Sequence, residues 1–163
     1  MSAGSKLGME GLINHLRNWA REELALQAEL LEALDEQSLA IRGRGSDRLE
    51  EATAIVEERS AAARKNEARR TQLFERLAQK WGVAPGTLTF ASIAMRAGDH
   101  GEGLAALRGE LREVVQAVQS KARLVQAELR MHQRIAVEVL GTLLGQDDDG
   151  SVTSRGALLN AEA

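Results

Sequence analysis

The stretch from Leu104 to Leu144, LAALRGELREVVQAVQSKARLVQAELRMHQRIAVEVLGTLL, decides the fold. An apolar residue recurs in it every three or four positions, at Leu104, Leu107, Leu111, Val114, Val118, Ala122, Val125, Leu129, Ala136, Val139 and Leu143, with a polar interruption at His132. That period is the α-helical one, so the stretch reads as one amphipathic helix with an apolar stripe. At about 1.5 Å per residue the helix is about 60 Å long, more than a compact domain of this mass spans, and its stripe requires long helical neighbours.

Two such neighbours lie upstream. Leu12, Leu16, Trp19, Leu26, Leu30, Leu34 and Ile41 share one face of a first helix, and Ile13, Ala20, Leu24 and Leu31 widen that face enough to touch two partners. Glu23 and Gln37 break it. The pair Gly43 and Gly45 is expected to supply a C-terminal cap and a tight reversal. Ser46 and Asp47 then read as the N-cap of a second helix, with Glu50 completing a capping-box pattern. The short connection implies an antiparallel hairpin. The second helix has apolar ends and a thin middle at Ser60, Ala63, Asn66 and Arg70, which is expected to be its loosest part. Gly82 stops it, Val83 to Gly86 turn, and Thr87 or Thr89 caps a short helix ending near Ala97. Gly98 to Gly101 link to the long last helix. After Gln146 the run Asp147-Asp148-Asp149-Gly150-Ser151 would set three carboxylates at the negative end of the helix dipole, so residues 146–163 read as a disordered acidic, glycine- and serine-containing tail.

The reading is therefore all-α: residues 1–145 form an elongated antiparallel bundle of three long helices with one short connecting helix, the four helices spanning about 6–42, 47–81, 88–97 and 102–144, followed by a flexible C-terminal tail. Composition agrees. Hydrophobic residues make up 44% of the 163 residues while aromatics supply 2%, so the core is expected to be Leu, Val, Ile and Ala. Trp19 and Trp81 are expected to anchor roughly opposite ends of the hairpin.

Charge and chemistry exclude more than they suggest. The net charge of −3 comes from 21 basic and 24 acidic residues interspersed along the chain, so no overall basic field exists to hold a phosphate backbone, and nucleic acid is not an expected partner. The most basic stretch, Arg64, Lys65, Arg69, Arg70, Arg76 and Lys80, reads as a solvated or partner-facing helix edge. Without cysteine there is no disulfide, thiolate nucleophile or cysteine zinc site. No run is apolar enough for a signal peptide or a membrane span, so a soluble cytoplasmic protein is expected. His15, His100 and His132 lie far apart, outside any His-Glu-x-x-His or Glu-x-x-His pattern and without a His-x-x-Lys-Gly phosphotransfer signature. No glycine-rich loop with a lysine cradles a nucleotide, and Glu22/Glu23 and Glu50/Glu51 are adjacent surface carboxylates without a pocket. The expectation is a protein that is not an enzyme and needs no metal, cofactor or small-molecule substrate.

The layout resembles the flagellar type III export chaperones of the FlgN family: a long first helix, a second opening around Asp47-Arg48-Leu49, a glycine exit, a short Thr-Leu-Thr segment and a long final helix. Gln133-Arg134-Ile135-Ala136-Val137-Glu138-Val139-Leu140 looks like that family's last helical turns, and Gly150-Ser151-Val152-Thr153-Ser154-Arg155-Gly156 is similar to its tail. The chain departs from the family at Gln119 and Ala122, where two asparagines are common, and at Leu144, where a tyrosine is.

The resemblance implies a cytoplasmic chaperone that binds the C-terminal helical segments of the hook-filament junction proteins, of FlgK and FlgL type, prevents premature assembly and delivers them to the flagellar export apparatus. Cargo that assembles as amphipathic helices needs another apolar helix to cover it. Val118, Val125, Leu129, His132, Val139, Leu143 and Leu144 of the last helix, with Val152 of the tail, are the expected cargo-binding residues. The rival reading is a structural coiled-coil protein that self-associates without transient cargo, although the interruptions at Glu23, Gln37, Arg70 and His132 are not those of a regular rod.

Overall fold

The computed structural model describes residues 8–43 and 45–144, and all regular structure among them is helical. Four α-helices follow in order: α1 (Met9–Arg42), α2 (Ser46–Trp81), α3 (Phe90–Ala97) and α4 (Leu104–Leu143). Short 3-10 turns at Pro85–Thr87 and Gly98–Gly101 connect them. The described residues fall into two units, one up to Val125 and one from Gln126 onward.

In the first unit α1 is the central helix. It buries 13 of its 34 residues, against six of the 36 in α2, because its apolar face is wide enough for more than one neighbour. α2 returns antiparallel: Gln37 bonds Thr53, Arg59 pairs with Glu29, Asn66 bonds Glu23 and Arg69 pairs with Glu22, a series that rises on one helix as it falls on the other. α4 meets α1 through Lys121, whose Nζ lies 2.5 Å from Asp35 Oδ1, and through Leu104, Leu107 and Leu111, which join the main core.

That core sits at the open end of the hairpin. Leu12, Ile13, Leu16, Trp19 and Ala20 of α1 meet Phe74, Leu77 and Ala78 of α2, closed over by Leu88, Ile93, Ala97 and Leu104. Aromatic residues contribute more than their scarcity suggests. Phe90 stands 6.1 Å from Trp19 and 6.5 Å from Phe74 in a tilted cluster, so three of the four aromatic side chains collect at one place. The two tryptophans do not mark opposite ends. Trp81 packs half-buried against the same core that holds Trp19, because the last turn of α2 folds back beside the first turns of α1, and the Arg96 guanidinium covers its ring at 5.8 Å.

The middle of the hairpin is polar and filled. Glu23 and Asn66 are 7% and 3% exposed. Asn66 Nδ2 donates to Glu23 Oε2 at 2.7 Å, Gln27 donates to Glu23 Oε1 at 2.7 Å, and the Trp19 indole donates to the Asn66 carbonyl at 2.9 Å. Buried polar atoms must be paired, and here each is. The apparent gap in the α2 stripe at Asn66 thus faces the apparent break in the α1 stripe at Glu23.

The helix ends differ in part from the sequence reading. Ser46 and Asp47 lie inside the first turn of α2, whose N-cap is Gly45 with no side-chain cap bond, so no capping box forms there. The capping box belongs to α3, where Thr89 accepts from the Ser92 amide and the Ser92 hydroxyl accepts from the Thr89 amide. Gly43 caps α1 with an extended backbone, its amide bonding Leu39 and Ala40 carbonyls, and makes no use of glycine's left-handed freedom. Gly82 does use it. At φ 62° its amide bonds Gln79, while the Val83 amide reaches back to Ala78, closing α2 in a Schellman motif. Arg17 of α1 secures the link into α4 by donating to the carbonyls of His100 and Glu102 at 2.9 and 3.0 Å.

Candidate protein-binding surface

Along α4 the apolar period persists but burial does not. Leu104, Val118 and Val125 are buried, whereas every residue from Met131 to Leu140 is exposed. Met131, Ile135, Val137, Val139, Leu140, Leu143 and Leu144 are between 51% and 77% exposed, a concentration of large apolar side chains unmatched elsewhere among the described residues.

The arrangement follows from the sequence of these turns. At about 100° per residue, Met131, Ile135, Val139, Leu143, Ala136, Leu140, Leu144 and Val137 sweep roughly 240° of the helix circumference. Arg130, Arg134 and Glu138, spaced by four, share the remaining polar line, while His132, Gln133 and Thr142 are polar members within the arc. A helix with one neighbour needs an apolar arc of little more than 100°, so an arc this wide has the character of a helix enclosed by two or more others. Contiguous exposed apolar surface of this kind is a mark of protein interaction sites.

The expected cargo residues divide accordingly. Val118 and Val125, at 8% and 2% exposure, belong to the interior of the first unit and offer no surface, because their turns lie on either side of the Lys121 to Asp35 ion pair. Leu129 is half-buried. His132, Val139, Leu143 and Leu144 are exposed, and Val152 lies outside the described residues. Met131, Ile135, Val137 and Leu140 belong to the same surface and fall off the single line of the stripe. The width of the apolar arc, taken turn by turn, is the signal that would have found them.

No group of three or more His, Asp or Glu residues that could hold a metal occurs among the described residues, and none of their helices is long and apolar enough to cross a membrane. His15, His100 and His132 are all exposed, on α1, the Gly98–Gly101 turn and α4. What the surface can do is exclude water from another apolar helix.

Among known protein families, the model of FlgN protein matches the chain over residues 9–153. No curated protein and no solved structure matches it.

Proposed function

The chain belongs to the FlgN family of flagellar export chaperones, and from that premise we propose that its cargo is the C-terminal helical segment of hook-filament junction subunits of FlgK and FlgL type. It binds them in the cytoplasm, keeps them from assembling early and presents them to the export apparatus, without catalysis. The observation that carries this reading is the wide apolar arc of Met131 to Leu144. Subunit segments that later join one another as amphipathic helices carry complementary apolar stripes, and an arc of this width accommodates more than one of them.

Binding that must be undone at the export apparatus is best served by modest affinity. Each of these side chains already sheds part of its area onto its own helix, so its further burial contributes about 1 kcal/mol. A handful of such contributions on each partner, set against an association cost of roughly 4–15 kcal/mol, leaves affinities nearer micromolar than picomolar.

The test is the double variant Ile135→Asp with Val139→Asp, titrated calorimetrically against a purified junction-protein C-terminal segment. A loss of roughly a hundredfold or more in affinity is expected, since apolar burial is removed and two carboxylates are placed in the contact. Helicity should be unchanged, because both side chains are 51% exposed. Undiminished affinity overturns the reading. A second copy of the chain is the alternative occupant, as in a self-associating coiled coil. Light scattering separates the two, because a monomer at tens of micromolar leaves the arc to cargo.

A further inference from the structure

We propose that the edge of α2 from Lys65 to Lys80 is a second docking surface, built for an acidic helical segment of a protein partner. Lys65, Arg69, Gln72, Arg76 and Lys80 are all exposed and stand at i, i+4, i+7, i+11 and i+15, within roughly 80° of one another around the helix. They make a line of donors about 22 Å long at about 1.5 Å per residue. α1 adds His15, which with Arg69, Gln72, Leu73 and Arg76 lines a shallow cleft between the two helices.

The line is largely unpaired. On this edge Arg69 meets a carboxylate, Glu22, at 2.6 Å. Lys65, Arg76 and Lys80 have no carboxylate partner among the described residues, in a chain with more acidic than basic residues. Residues 64–80 hold six cations and two carboxylates, so the imbalance is local.

The spacing selects the partner. Carboxylates at i, i+4, i+7 and i+11 of an opposing helix match these donors in pitch, and charge complementarity of this kind sets encounter rate and register. A nucleic acid fits less well. Glu67 and Glu75 share the segment, the net charge is −3, and its aromatic residues Phe74 and Trp81 are buried and half-buried, leaving no platform for base stacking. The edge also exposes no large apolar side chain beside its cations, which a membrane-surface helix requires.

The test uses the full chain and a fluorescein-labelled helical peptide with glutamates at i, i+4, i+7 and i+11, followed by anisotropy. Two comparison probes are a peptide of the same composition with the glutamates scrambled and a single-stranded oligonucleotide of similar length. Binding to the ordered peptide should weaken roughly tenfold in Arg76→Glu with Lys80→Glu, and a few-fold in the milder Lys65→Ala with Arg76→Ala. The scrambled peptide should bind more weakly than the ordered one. Equal binding of both peptides, tighter binding of the oligonucleotide, or unaltered affinity in a variant that retains its helicity overturns the proposal. Ile135→Asp with Val139→Asp should leave peptide binding intact, so this surface and the cargo surface fail separately.

Discussion

Two parts of one helix carry the same apolar period and meet different fates. Between Leu104 and Val125 the stripe of α4 is narrow, flanked by Arg, Glu and Gln, and its residues are buried or half-buried. Between Met131 and Leu144 the apolar residues spread around most of the circumference, and all of them are exposed. Periodicity therefore identifies a face without saying whether the chain itself covers it. Width is the better guide to how many neighbours a helix is built to have.

The sharpest break in this comparison comes from truncating one leucine in each part. Leu104 is fully buried in the main core, and Leu104→Ala should cost about 3–4 kcal/mol in a urea titration. Leu143, at 77% exposure, should change stability by no more than about 0.5 kcal/mol when cut to alanine. Equal losses at the two positions would mean that the exposed arc is core after all.

A middle-sized effect probes the polar centre of the hairpin. Asn66→Ala removes the donor to Glu23 Oε2 and leaves a buried carboxylate oxygen without its partner, at a cost of about 2 kcal/mol. Thermal melting of this variant beside Leu104→Ala would rank the polar and apolar parts of the first unit. A smaller loss than at an exposed position would show that water reaches Glu23 readily.

The smallest effect is a gain. Gly109 lies within α4 on its exposed side, and a Cβ there meets nothing within 4 Å. Gly109→Ala should raise stability by about 0.5–1 kcal/mol, read as a shift of the urea midpoint, because alanine surrenders less backbone entropy on folding.

The helices themselves were legible from apolar spacing and from Gly82, and so were the short α3 and the long α4. Three things were not. Glu23 and Asn66 each look like a flaw in a stripe, and only their meeting across the hairpin, 43 residues apart in sequence, turns them into a bonded pair. Ser46, Asp47 and Glu50 carry the letters of a capping box, yet the helix begins two residues too early for the Asp47 and Glu50 pair, while Thr89 and Ser92 form one without glutamate. The expected cargo residues follow the stripe's axis, so they include the interior Val118 and Val125 and omit the exposed Met131 and Ile135. A stripe is a one-dimensional description, and burial depends on where the neighbouring helices end.

The bonded pair at the centre of the hairpin also sets the alignment of its two arms. Stripes of Leu and Ala repeat every turn, so two such helices can slide past each other by four residues and lose little apolar contact. Sliding α2 by one turn would bring Ala62 or Arg70 to the place of Asn66. Alanine cannot donate to the Glu23 carboxylate, and the guanidinium would surrender its own pairing with Glu67 and its position 4.8 Å over the Phe74 ring. One asparagine thus works as a vernier, making a single alignment of an otherwise slippery hairpin the favoured one.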